Sequence, residues 1–414
     1  MTVAVGDIPH TERCQSSHWL LALFLLFCFF PYLRTIPLPV DTQPTGLVLG
    51  LMLIMLARRH QASAGVWMVA GITIAAIIIF LAGDIELSAI RNIIGYISLF
   101  VFTYLFFNIS LSERALLQKI TEIAILGWFL VGVLQIIIGR GFLVFLISDA
   151  RTTDSRGVTS LAPEPTYYAS QMLFLLLLHI LLGMKRFIVA IALLSILFLA
   201  ISSQVVIVII LATGISLPFL LGRRGFGFVL LISLFVGALG FALFEDYKHQ
   251  YRILTIVDIL LKNPTSLLLV DASANERFAA IYVSFKSFFG NYMMPHGISG
   301  NYYYDVFVDL KQRNPQFLWA ATPSKSNLSG AGRIAFELGP LLFMFAGIVV
   351  AAAWRLKAPA SVRVFTAAAY LLLMITAIPL AHPMVGAVLG VMIACGFPLK
   401  SQDESNPSQA IVKL

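Results

Sequence analysis

Apolar runs long enough to cross a lipid bilayer recur from one end of this chain to the other, and nothing else in the sequence narrows the fold as much. A helix needs about 20 apolar residues to span a hydrocarbon core of roughly 30 Å, and lipid forces each crossing segment to satisfy its own backbone hydrogen bonds. Runs that meet or approach this requirement occupy 18–36, 44–57, 64–83, 92–112, 120–139, 163–183, 187–202, 205–221, 226–244, 333–353, 362–379 and 383–398. By length this gives about twelve spans, with 187–202 and 205–221 read as a tight helical hairpin divided only by Ser203-Gln204. The expected fold is an all-α polytopic membrane protein. Composition agrees, since 59% of residues are hydrophobic and 12% charged, against about 45–50% apolar in soluble domains. Pro31, Arg34 and Pro37 stand where a signal peptide would need small residues, so the run from Trp19 is read as a retained first span. Cys14, Cys28 and Cys395 show neither disulfide nor metal-site spacing.

The basic residues test the span count independently, because Lys and Arg concentrate in short cytoplasmic loops. Alternate loops carry Arg58-Arg59, Arg114 with Lys119, Lys185-Arg186, Arg223-Arg224, and Arg355 with Lys357 and Arg363. All five fall on one side, which accounts for most of the net charge of +8 without invoking an anionic partner such as nucleic acid. Both termini are then cytoplasmic, and the loops at 84–91, 140–162, 203–204, 245–332 and 380–382 lie outside. The chain divides into nine spans over 1–244, a large external loop over 245–332, three spans over 333–399 and a short polar tail from 400 to 414. The large loop mixes charge with aromatic residues, unlike a disordered linker. Apolar spacing within 251–269 and 277–289 fits short amphipathic helices, and the turn-rich stretch from Gly290 to Asn301 breaks them.

Ionisable residues near lipid are functional candidates by default. Glu164 lies between Pro163 and Pro165 at the entrance of a span. A plain structural role is open to it, with Pro in the first helical turn and the carboxylate favouring the helix dipole by about 0.3–1 kcal/mol. Arg156, alone, reads as a solvated loop arginine. Arg277, followed by the turn that holds His296, offers a planar fork of donors suited to phosphate oxygens, and backbone N–H groups in such a turn can line an anion site. The turn lacks nucleotide-loop spacing. Arg333 and Glu337 are four apart and share a helix face, which an ordinary ion pair explains; Asn327 precedes them. His179 and His382 read as packing or hydrogen-bonding residues. No HExxH, paired CxxC, acidic metal cluster or GxSxG is present, so metal-hydrolase and serine-hydrolase readings have no support.

Taken in order, RGVTSLAPEPTYY, the loop segment RFAAIYVSFKSFFGNYMMPHGISG and the segment SNLSGAGRIAFELG resemble the Wzy-like polysaccharide (O-antigen) polymerases, which are related to the O-antigen ligases. The resemblance covers about residues 90 to 353, with the EP[ST]Y segment its more specific part. It implies a helical, GT-C-like membrane glycosyltransferase that works without a metal or other cofactor. Its substrates would be a polyprenyl-pyrophosphate-linked oligosaccharide donor and a lipid-linked acceptor, at the outer face of a bacterial cytoplasmic membrane, with a flippase and a chain-length regulator as possible partners. Residue by residue, it implies catalytic roles for Glu164, Arg156 and Arg277, and substrate-binding roles for Tyr167, Tyr168, His296, Arg333, Asn327 and Glu337. Two departures are visible. Before the last external helix, where the ligase branch usually has a His, this chain reads Ser324-Lys325-Ser326-Asn327, which favours polymerase over ligase, and Gln204 follows Ser202-Ser203 where an arginine is often found. A flippase or transporter of about twelve spans is the alternative from another class; it calls for charge within the spans, where this chain has almost none.

Overall fold

The computed structural model describes residues 10–35, 42–56, 61–83, 85–147, 150–151, 157–221, 269, 272–376 and 378–397. The described part is helical, with one isolated antiparallel bridge between Leu33 and Ile147. The helices are α1 (His10–Phe29), α2 (Thr45–Leu56), α3 (Ala64–Ala82), α4 (Leu87–Ser112), α5 (Arg114–Ile137), α6 (Pro165–Leu182) and α7 (Arg186–Leu194), which runs on as a π-helix over Ser195–Ala200. They continue with α8 (Ser203–Leu221), α9 (Ala272–Gly290), α10 (Gly300–Arg313), α11 (Gly330–Leu338), α12 (Leu341–Trp354), α13 (Ala360–Ile375) and α14 (Pro383–Cys395). Five of them, α3, α4, α5, α6 and α8, are long and apolar enough to cross a membrane.

α4, α6 and α14 form the centre, whereas α3, α5 and α8 turn most of their apolar surface outward. That distribution suits a chain surrounded by lipid, which imposes no requirement for a polar exterior. The central packing is read directly from GAVLG in α14. A Cβ on Gly386 would lie 2.6 Å from the Phe102 Cβ, and one on Gly390 would lie 2.3 Å from the Thr103 carbonyl oxygen. Glycines four apart therefore let α14 and α4 meet backbone to backbone, the device by which helices associate in lipid.

The two ends of the bundle differ. At one end Arg114 Nη2 donates to the carbonyls of Leu181 (2.9 Å) and Leu182 (3.2 Å), and Lys185 pairs with Glu122 at 2.7 Å. Exposed Trp19, Trp67 and Trp354 sit at this same end, on α1, α3 and α12, as expected of tryptophans at a membrane–water boundary. Three of the five basic loops are on described residues, and all three lie here; Arg58-Arg59 and Arg223-Arg224 lie outside the described residues. At the opposite end gather the C-terminal ends of α1 and α7 and the N-terminal ends of α6, α8 and α14.

Several expected boundaries move. The span expected over 333–353 is two helices, because Gly339 takes a left-handed φ of +60° and Pro340 starts α12. Gly339 is also pressed against the turn at Met293–Pro295, where a Cβ would lie 2.6 Å from the Met293 carbonyl oxygen. α1 ends at Phe29, two residues before Pro31, since Pro has no N–H to continue the ladder. The hairpin break falls at Ile201-Ser202 instead of Ser203-Gln204, with Ile201 at φ +48°. The expected helix over 277–289 lies within α9. The expected span at 226–244, the segment 251–269 and the tail from 400 lie outside the described residues.

Candidate functional site

The non-helical segment 157–164 is buried at this second end of the bundle instead of lying over it. Gly157 makes that possible, because a Cβ there would lie 2.1 Å from the Ala200 carbonyl oxygen. Val158 N–H then donates to Leu199 O at 2.9 Å. Ser160, at φ +51°, is held on three sides. Its N–H donates to Gln135 Oε1 (2.7 Å), its carbonyl accepts from Gln135 Nε2 (2.9 Å), and its hydroxyl donates to Trp128 O (2.7 Å). Irregular backbone at this depth requires such internal satisfaction, and Gln135 and Trp128 supply it.

The segment delivers Glu164 to the N-cap position of α6, with Pro165 the first helical residue. The carboxylate does not cap the helix. Oε1 instead pairs with Arg151 Nη1 at 2.6 Å, and Oε2 with Arg277 Nη2 at 3.4 Å. Arg277 reaches this point from α9, the loop helix, and its Nη1 donates to Gln204 Oε1 in the first turn of α8 at 2.7 Å. Glu164 and Arg277 are 13% and 22% exposed while Arg151 is 60% exposed, so the inner pair is shielded and the outer arginine faces solvent. Two sequence candidates 113 residues apart are thus brought together. Arg151 was not singled out by the sequence, and Gln204 was noted only as standing where an arginine is often found; here it holds the arginine of α9.

The other candidates are spread along and behind α9. Asn327 donates to the Ser284 hydroxyl, seven residues beyond Arg277, or about 10 Å along a helix. His296 meets Ser287 Oγ at 2.6 Å and lies on the Phe336 ring, centroids 4.6 Å apart, roughly 15 Å along α9 from Arg277. Burial lowers its pKa, opposed by a backbone bond at Ser287. Arg333 and Glu337 are 6% and 5% exposed and face α4. Arg333 Nε donates to both Glu337 oxygens (3.2 and 3.1 Å), Asn92 Nδ2 donates to Oε1 (3.0 Å), and the guanidinium lies over the Tyr96 ring at 5.4 Å. This is an internal ion pair bracing α11 against α4, the ordinary reading of their spacing. Tyr168 is fully buried and stacked on Trp128; Tyr167 is half-buried and packs on Tyr32. Arg156 lies outside the described residues.

The Gly-rich turn does not offer an open anion site. Glu86 fills it, accepting from the Ser299 hydroxyl (2.9 Å) and the Asn301 N–H (3.1 Å) at the start of α10. His382, at the N-cap of α14, accepts the Met384 N–H at Nδ1 (3.3 Å). Its Nε2 therefore carries the hydrogen and donates to the Tyr32 hydroxyl at 3.0 Å. Burial holds its pKa down at about 3. Among the described residues, no three His, Cys, Asp or Glu side chains converge as metal ligands.

No protein-family model matches the chain, and no curated protein matches it.

Proposed function

We propose that the chain is a bacterial inner-membrane glycosyltransferase that polymerises lipid-linked oligosaccharide repeat units, with its site at the periplasmic face. On this reading about twelve spans form a GT-C-like fold with both termini cytoplasmic. The observation that carries the proposal is the meeting of Glu164 with Arg277 at a helix entrance, beneath a loop helix. Their types fit the chemistry. An acceptor hydroxyl attacks the anomeric carbon of the donor, the bond from that carbon to the pyrophosphate oxygen breaks, and its electron pair leaves with the pyrophosphate. The hydroxyl proton passes to Glu164, and the anomeric configuration inverts. Fixed guanidinium groups stabilise the charge that develops on the leaving group, and a carboxylate within hydrogen-bond reach serves as base. In the resting arrangement Glu164 neutralises Arg277. An incoming pyrophosphate takes over that arginine and leaves the carboxylate to the acceptor, while Arg151 keeps it oriented. Arg333 and Glu337 act in this reading as a brace that fixes α11 under α9.

The test is chain growth in proteoliposomes that contain the full-length protein and a purified polyprenyl-pyrophosphate-linked repeat unit. Wild type should build long chains, whereas Glu164→Gln and Arg277→Ala should leave single units, with rates at least 100-fold lower, the ordinary scale for loss of general-base catalysis. Transport of units across the bilayer without growth overturns polymerisation in favour of a flippase. Transfer to a lipid A acceptor without growth overturns it in favour of a ligase.

A further inference from the structure

α12 is too short to cross a bilayer, and the surface beyond its short end is exposed and apolar. Its 14 residues rise about 21 Å, against a hydrocarbon core of roughly 30 Å. Exposed Trp354 sets one end of α12 at the membrane–water boundary it shares with Trp19 and Trp67. From there the outward face runs through Val350 and Gly347, where an added Cβ would meet nothing within 4 Å, to Phe343. These positions are three and four apart and share one side of the helix. The shortfall of about 9 Å therefore lies beyond Phe343, on the side of the Glu164–Arg277 pair, and any tilt of α12 widens it. α11, which precedes α12 in the chain, does not fill the gap on the lipid side, because every one of its residues is buried.

What occupies that depth is the far end of α9 and the turn after it. Phe288 packs between Phe343, with ring centroids 6.1 Å apart, and Phe289, at 5.0 Å, and the turn meets Gly339 at the α11–α12 break. From this seat Phe289 and Met294 face outward, 58% and 61% exposed, with Phe343 at 55% and Tyr292 at 90%. The turn holds large side chains where glycine is the usual occupant: Tyr292 and Met293 take φ of +53° and +63°, which crowds each side chain against the next carbonyl. Its backbone is also closed. The N–H groups of Asn291, Tyr292, Met293, Met294 and His296 donate to the carbonyls of Ser287, Phe289, Phe288, Asn291 and Phe336 at 2.8–3.3 Å, and Pro295 has none to place. Water would satisfy such groups in a solvated loop, whereas lipid requires them to be paired within the protein.

We propose that this turn is a membrane wedge. Phe289, Met294 and Phe343 enter the acyl chains of the leaflet on the side of the Glu164–Arg277 pair, and Tyr292 stands at headgroup level with its hydroxyl in water, the position that suits an amphipathic ring. The occupant is lipid because the patch continues the outward face of α12 at the depth α12 does not reach. α9 then has two fixed ends, one in the leaflet and one at Arg277, about 18 Å away along the helix. The helix that carries this arginine is thereby held at the bilayer surface, whatever chemistry the site performs.

The experiment is nitroxide spin labelling of the full-length protein in lipid nanodiscs, with Cys14, Cys28 and Cys395 replaced by serine. Phe289→Cys and Met294→Cys probe the wedge, and Gln312→Cys, exposed on polar α10, is the water-facing reference. Collisions of each label with oxygen, which concentrates in acyl chains, are compared with collisions with nickel ethylenediaminediacetate, which stays in water. The oxygen-to-nickel ratio should be several-fold higher at Phe289→Cys and at Met294→Cys than at Gln312→Cys. Both replaced side chains are exposed, so the variants should melt with wild type. A ratio at either position no higher than at Gln312→Cys places the turn in water and overturns the wedge. Low collision with both reagents, together with spin–spin broadening between labels, assigns the patch to a second copy of the chain and overturns it as well.

Discussion

At the scale of single residues, the site depends on Gly157 as much as on the charged groups around it. The glycine is needed for space: the Ala200 carbonyl oxygen occupies the volume a Cβ would take, at 2.1 Å, with the Leu199 oxygen at 2.5 Å. Backbone atoms cannot rotate aside as a side chain does. Gly157→Ala should therefore push the segment off α7, break the Val158–Leu199 hydrogen bond and destabilise the protein by about 1–3 kcal/mol or more, the range for overpacking. A drop in melting temperature in detergent, with faster hydrogen exchange at Val158–Ser160, is the expected result, and an unchanged protein would show that the contact is not tight. The sequence makes Glu164 and Arg277 legible, because a carboxylate between prolines at a span entrance and an arginine in an external loop are both unusual. It does not show that they meet, since 113 residues separate them. Nor does it show Gln204, whose side chain reads as an ordinary polar residue until the arginine it holds is in view.

At the scale of elements, a carboxylate ties the start of α10 to the start of α4, beside the packing of Tyr303 and Phe307 on Phe336 and α9. Glu86, just before α4, receives the Ser299 hydroxyl and the Asn301 N–H at the start of α10. Partial burial opposes ionisation of this carboxyl, but those hydrogen bonds, with the Gly300 backbone beside them, outweigh it and leave its pKa below the ordinary value. A carboxyl with a lowered folded-state pKa contributes stability that is complete above the unfolded value of about 4.3 and is lost as pH falls through the folded value. Hydrogen exchange at 299–305 should therefore be slow at neutral pH and accelerate below about pH 4.3. In Glu86→Gln the exchange should be fast throughout and flat across that range; a flat profile in wild type would remove Glu86 from this role. The helices on the described apolar runs were legible from run length, and α9 from its spacing, but α10 and the breaks were not. Gly339 ends α11 because the Met293–Pro295 turn presses on it, and that turn comes from 45 residues earlier in the chain. Ile201 ends the π-helix in a left-handed conformation that no residue preference announces.

At the scale of the whole molecule, the chain has two chemically distinct ends, and the assignment of sides rests on that difference. Arg114, Lys185 and Arg186, and Arg355 with Lys357 lie at the end ringed by exposed Trp19, Trp67 and Trp354. Glu164, Arg277, Glu86 and His382 lie at the other. On the proposed topology, in which the basic loops are cytoplasmic, the ion-paired site lies outside, and cysteine labelling tests this if the labelled positions are chosen by exposure. Thr159, although in an external loop by sequence, is 1% exposed and would stay unlabelled on either side of the membrane. Tyr292 is 90% exposed, Arg151 is 60% exposed at its side chain, and Lys357 is exposed at the opposite end. In a background with Cys14, Cys28 and Cys395 replaced by serine, an impermeant maleimide added to intact cells with a permeable outer membrane should label Tyr292→Cys and Arg151→Cys. Lys357→Cys should label only after the inner membrane is broken. The reverse pattern would place Glu164 and Arg277 in the cytoplasm, where the donor chemistry proposed above has no substrate, whereas labelling of all three in intact cells would mean that the cells leak.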